Sequence, residues 1–411
     1  MKKIKVLHIN SLDSYGGAAQ VANDLMSATR TENKLLVKFK ISDRREVIPL
    51  SRISFSDLLF LVIDKIRSLR GIRLSFRVKL GIGDSFNGTY RKLSKIKAYR
   101  EADIVHLHNI HGGYFDLSAL LRIAREKKVV WTLHDMWIMT GGEAYTFDNE
   151  NYKHGIAKTP YIKFYPLSDP LLDLRSYYMK KKKRIYARLG RALTIVPVSY
   201  WLERCLRESY VYNDKLQVQT IHNGINLEIF RNRNQRTWKT PRILFFNLDN
   251  PFKGSHLFTG ILPDIDWNFE LFLVGDKIKD FTPKRHYRFL ESRSQLAEVY
   301  NEVDILVFPS LAENLALTVM EAMSCGVCVV ASDTGGLPEI LTAESGDLFE
   351  SGNAGSLLSK IRTTLQNLGA TREKGLAAER RVKEHFDLNA CARNYEKLYE
   401  ALVNEKPPKE S

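Results

Sequence analysis

Cysteine is scarce: Cys205, Cys325, Cys328 and Cys391 are the four thiols in 411 residues. So few and so unevenly spaced, they exclude the disulfide framework of a small secreted scaffold and fit a reducing compartment. Long apolar runs are missing as well. The longest, around Leu58 to Ile63, falls far short of the ~20 residues that span a bilayer. An export signal is not expected either, because Ile4 to Ile9 behind Lys2 and Lys3 is too short and too interrupted. Negative charge is in the minority, 47 acidic residues against 62 Lys and Arg, for a net charge of +15. The expected location is cytoplasmic, with peripheral attachment to the inner face of the cell membrane open to so basic a surface. Anionic partners are favoured. Nucleic acid is not, since no recognised nucleic-acid motif accompanies the charge.

What is present is apolar material for two buried cores: 44% of all residues are apolar and 10% of all residues aromatic, in a chain longer than one core organises. Compact strands are predicted at Ile4–Ile9, Leu35–Ile41, Asp103–His108, Lys128–Leu133, Leu193–Ser199 and Val218–His222. A second series follows at Arg242–Asn247, Glu270–Gly275, Asp304–Pro309 and Val327–Ser332. Helical patterns lie between most of them, including Ala18–Ala28, Arg293–Glu302 and Ala316–Cys325. Continuous apolar strands alternating with helices predict an α/β class, with parallel sheets covered on both faces. The expected domains are residues 1–222 and 223–388, with a last helix near 389–403 able to pack on the first. The polar stretch Arg231 to Pro241 is the expected linker. Ser68 to Arg100 and Tyr145 to Asp173 break the alternation, and loops of that size are commonly functional.

The chemistry-bearing residues collect where strands end. Gly16 and Gly17 follow the first strand and open a helix, where backbone N–H groups can approach a phosphate. The spacing is not GxGxxG, and an ordinary turn is the alternative. His106, His108 and His111 sit close together in VHLHNIHGG. A metal site is one reading, and lining of a ligand crevice is the favoured one. His134 and Asp135 leave the next strand, either to meet a ligand or as a satisfied histidine beside a helix cap. In the segment 308–341, Glu313 lies in a loop and Glu321 eight residues later in a helix, beside the turn Gly335-Gly336. The loop carboxylate can face a ligand while the helical one holds another part of it; a helix-start acid and a solvated helical residue are the plain alternatives. Cys325-x2-Cys328 closes a helix rather than opening one, so it reads as structural. The basic stretch 177–193, YYMKKKKRIYARLGRAL, suits either an anionic membrane or solvent.

Taken together these segments resemble the retaining glycosyltransferases of GT-B fold, family four, over roughly residues 1–400. The residues that carry the likeness are the Gly16-Gly17 turn, HLHNIHGG, WTLHDMW, IHNGIN at 221–226, NPFKG with Lys253, and the Glu-x7-Glu pair. The resemblance implies two Rossmann-like doubly wound domains facing across a cleft. It also implies transfer of a hexosyl group from a nucleoside-diphosphate sugar to a hydroxyl, on a lipid-linked glycan of the bacterial surface such as lipopolysaccharide or capsule. By the same likeness Glu313 would hold donor-sugar hydroxyls, His134 would lie near the transferred sugar, Glu321 would hold the ribose, Lys253 the diphosphate, and Asn314 and Leu317 the helix start beside it. No metal and no cofactor beyond the donor substrate are implied. Three departures stand out. Leu248 replaces an Arg common in the family, and Ala316 a common Pro. Four cysteines found after the TGG turn in many relatives are replaced by Glu143, Asn149, Ile156 and Thr159. A nucleotide-sugar epimerase and a non-catalytic glycan-assembly partner are the alternatives.

Overall fold

The computed structural model describes residues 3–50, 87–147, 149–156, 172–234, 236–279 and 281–405. The apolar run at 58–63, most of the basic stretch from 68, much of the loop at 145–173 and the Thr159 position lie outside them. Chain contacts divide the protein into two units: residues 1–198, 202–221 and 392–411, and residues 199–201 with 222–391.

The first unit is built on seven strands: β1 Lys5–Leu12, β2 Glu32–Phe39, β3 Val47–Pro49, β4 Ile104–Leu107, β5 Lys128–Leu133, β6 Leu193–Pro197 and β7 Gln217–Val218. They run in the order β3-β2-β1-β4-β5-β6-β7, every pair parallel. The second unit has six: β8 Arg242–Asn247, β9 Glu270–Gly275, β10 Arg285–Tyr287, β11 Ile305–Phe308, β12 Cys328–Asp333 and β13 Gly346–Glu350. Their order is β10-β9-β8-β11-β12-β13, again all parallel. Both sheets start in the middle, grow to one side, and return to the other. That reversal makes a crevice at the carboxyl ends of the central strands, β1 and β4 in one unit and β8 and β11 in the other.

Burial follows from the parallel pairing. Every residue of β4, β6 and β11 is buried, as expected when helices cover both faces. In the second unit Ile243, Phe245, Leu273 and Val307 pack with Phe258 and Leu357 from the helices Ser255–Ile261 and Ala354–Gln366. Phe245 and Phe258 lie 4.4 Å apart between ring centroids. Each such side chain contributes about 1.5–3 kcal/mol when fully buried.

The segment 231–241 is not a linker. Arg236 donates to the carbonyls of Val303, Tyr300 and Cys325, and the indole of Trp238 donates to Asp304. It is a strap bonded to the second unit, because its polar side chains reach carbonyls at strand and helix ends. The predicted strand at 218–222 shortens to β7, although Gln219 and Ile221 still donate to Ile195 and Pro197. The last helix is Leu388–Asn404, and from Ala392 onward it belongs to the first unit.

Candidate active site

Register assembles the histidines of the first unit. His8 of β1 pairs with His106 of β4, and His106 pairs with Val130 of β5. Residues two apart on a strand share a face, so His8, His106, His108, Thr132 and His134 line one side of the sheet. The last helix brings tyrosines to them. His106 Nδ1 meets the Tyr399 hydroxyl at 2.6 Å, its Nε2 meets Thr132 Oγ1 at 2.7 Å, and Thr132 meets the Tyr395 hydroxyl at 2.8 Å. His8 Nδ1 lies 3.1 Å from His108 Nε2, and His108 Nδ1 lies 3.0 Å from His134 Nε2. Burial penalises the imidazolium throughout this row. His8 falls to about 4 and His106 and His108 well below the usual range. His134 also falls to about 4 through burial, with Asp135 opposing and His111 reinforcing the shift.

The metal alternative changes membership. His111 turns to Asp135, Nε2 to Oδ2 at 2.9 Å, while His8 joins His106 and His108, their ligand atoms within 4.8 Å of one another. Each ring nitrogen of those three already has a hydrogen-bond partner. The group is thus a satisfied polar network: its ring nitrogens are spent on one another and on Asn33, Thr132, His134 and Tyr399. Asp135 also receives the Trp137 N–H at 2.9 Å. Burial would raise its carboxyl, but His111 and that N–H hold it below the usual value.

Gly16 stands at φ +86°, with nothing within 4 Å of where a Cβ would be. Gly17 begins the helix Gly17–Ala28, whose first-turn N–H groups face the same end as the carboxyl ends of the strands. Asp13 ties down the base of this turn. Its carboxylate receives Ile41 N at 2.9 Å, and Ser42 N and Oγ at 2.9 and 2.6 Å. Burial raises its pKa, but these donors outweigh that and keep it low.

In the second unit the predicted residues converge on the loop after β11. Lys253, which follows β8, is ion-paired with Glu313. Ser310 Oγ donates to the same Glu313 oxygen at 2.9 Å. Glu313 is only 7% exposed, and Asn314 beside it is buried. Leu317 opens the helix Leu317–Ser324, and Glu321 within it is 6% exposed, 3.6 Å from Arg293. The solvated-helix alternative for Glu321 is therefore wrong. Glycine backbones clamp this loop. A Cβ on Gly335 would stand 1.6 Å from the Glu313 carbonyl oxygen, and one on Gly254 1.9 Å from that of Pro309. The loop holds its carboxylate on a backbone that neighbours touch directly.

Sequence reasoning missed Ser310, Arg293, His8 and Asn33. Spacing carries no signal for the first two, while a histidine inside the apolar strand KVLHIN was a visible sign. Leu248, by contrast, is 41% exposed at the end of β8. Cys325 and Cys328 are fully buried, and burial pushes both thiols up to about 12. At the Glu143 position Arg175 supplies an ion pair at 2.9 Å.

Two family models match the chain: Glycosyltransferase Family 4 over residues 62–229 and Glycosyl transferases group 1 over residues 240–367. An uncharacterized glycosyltransferase of Methanocaldococcus jannaschii is 30% identical over 219 residues, covering 51% of this chain and 59% of that one. The putative colanic acid biosynthesis glycosyl transferase WcaC of Escherichia coli is 26% identical over 284 residues, 64% of this chain and 67% of that one. The chain thus spans about three fifths to two thirds of these relatives' lengths. The crystal structure of Anabaena HepE in complex with UDP-glucose superposes with a TM-score of 0.62 at 15% identity, over 97% of this chain and all of that one. With two matched glycosyltransferase models in succession and two parallel sheets of one strand order, the chain has the GT-B fold and is similar to the family-four glycosyltransferases over most of its length.

Proposed function

We propose that this protein is a retaining glycosyltransferase that moves a hexosyl group from a nucleoside-diphosphate sugar to a hydroxyl of a lipid-linked surface glycan. The observation that carries the reading is the cluster after β8 and β11, where Lys253, Glu313 and Ser310 meet beside a helix start and Glu321 lies buried within that helix. A cation and a helix N-terminus suit a diphosphate, and buried carboxylates suit sugar and ribose hydroxyls. Lys253 released from Glu313 would meet the leaving diphosphate, so the charge is answered without a metal ion. The relative named for colanic acid biosynthesis supports a glycan acceptor, and the UDP-glucose bound to HepE supports the donor class. The exposed bases of the helix Arg175–Leu189 support an anionic membrane surface.

The test separates the two carboxylates. Thermal-shift screening with UDP, GDP and their common sugars identifies the donor, which at 100-fold excess over Kd stabilises by about 2.7 kcal/mol. With it, Glu313→Ala should lower transfer while nucleotide binding persists, and Glu321→Ala should weaken free nucleoside diphosphate. The opposite pattern in calorimetry and kinetics exchanges their roles. Stabilisation by none of these ligands, with no transfer, removes the proposal.

A further inference from the structure

The row of histidines has a direction, and Asn33 sets it. Asn33 Nδ2 lies 2.9 Å from the carbonyl oxygen of Met26. A carbonyl only accepts, so that atom is the amide nitrogen and Oδ1 is the end facing His8. His8 Nε2, 3.2 Å from Asn33 Oδ1, must then carry a proton. A neutral His8 accepts at Nδ1, so His108 Nε2 donates to it. A neutral His108 in turn accepts at Nδ1 from His134 Nε2. The rings are suitably aligned for these bonds: the planes of His8 and His108 lie within 22° of each other, and those of His108 and His134 within 18°. His8 and His108 are 0% and 1% exposed. A charge on either would be buried with no carboxylate among the described residues acting on it, which is costly; burial depresses both pKa values accordingly. His134 is the partly exposed end of the row, and Asp135 and His111 are the groups whose charge acts on it.

We propose that Asn33, His8 and His108 are positioning residues that lock His134 in its Nε2–H tautomer, which makes Nδ1 the acceptor nitrogen of that ring. An acceptor nitrogen matches a sugar hydroxyl and is mismatched to a phosphate oxygen, which itself only accepts. The choice of a sugar as the ligand rests on the function proposed above, whereas the tautomer does not.

The experiment is long-range ¹H–¹⁵N NMR of the full chain carrying ¹⁵N-histidine, with His134 assigned by substitution, near pH 7.5. Wild type should show His134 neutral and protonated on Nε2. His8→Leu removes the acceptor for His108 and should shift His134 at least several-fold toward Nδ1–H. His8→Asn, whose carbonyl oxygen takes the place of Nδ1, should restore the wild-type signature, which a merely space-filling role for His8 does not predict. If His8→Leu fails to fold, Asn33→Ala cuts the same row at its far end and is read in the same way. A wild-type His134 protonated on Nδ1, or a His134 signature unchanged in the folded cut variant, overturns the proposal. Either answer is obtained even if the protein transfers no sugar.

Discussion

At His8 the carbon skeleton is that of a core residue and the ring is not, so its stability contribution depends on pH. Its folded pKa, about 4, lies below the unfolded value near 6.5. Between those values the unfolded chain binds the extra proton, so stability is fully present above about 6.5 and is lost as the pH falls toward 4. His8 alone should cost about 2 kcal/mol at pH 5. Urea midpoints measured from pH 7.5 to 5 should fall, and His8→Leu should fall less steeply; equal slopes would detach His8 from the effect. Lys253 carries the second prediction at this scale. Lys253→Ala should lower turnover about 10²–10³-fold with the fold retained, and it leaves the buried Glu313 without its cation. Leu248→Arg, at an exposed site, should be tolerated and should tighten nucleoside-diphosphate binding. Turnover within a few-fold of wild type in Lys253→Ala would move the diphosphate elsewhere.

The helix Arg175–Leu189 shows what an element hides from sequence. Its bases look alike in YYMKKKKRIYARL, yet Lys182 is 1% exposed and donates to the carbonyls of Trp137 and Thr140, over the Trp137 ring at 3.6 Å. It sits on the buried face with Met179, Ile185, Tyr186 and Leu189. Lys182→Met should therefore cost about 1–3 kcal/mol, because two buried carbonyls lose a charged donor. Gln at Lys180, Arg184, Arg188 and Arg191, all exposed, should leave stability within about 0.5 kcal/mol. The same four changes should weaken binding to anionic vesicles and spare neutral ones, since each base near such a surface contributes about 1 kcal/mol. Equal vesicle binding by the variant and the wild type would retire the membrane role. Strands such as β5, β8 and β9 were legible to the residue because their apolar runs are continuous. β3, β10 and β13 were not: each is short or polar, and only pairing with a formed neighbour makes it a strand. The loop carrying Glu313 was legible as a motif, whereas Ser310 and Arg293 reach the carboxylates through folding that no local spacing encodes.

At the scale of the whole molecule, the first unit is finished by its most distant residues. Tyr399 and Tyr395 satisfy His106 and Thr132 across more than 260 residues of chain. Tyr399→Phe should then cost about 1–3 kcal/mol in chemical denaturation, the usual cost of a buried polar group stripped of its partner. No measurable change would show that the ring nitrogen finds another partner. The same separation has a consequence during synthesis. A ribosome adds about 5–20 residues per second, so the 293 residues between His106 and Tyr399 take about 15 to 60 s to appear. For the later part of that interval the strands of the first sheet, the last of them β7 at Gln217–Val218, are made while the helix that carries Tyr395 and Tyr399 is not. It is in this period, more than in the finished protein, that the chain is expected to depend on holding chaperones.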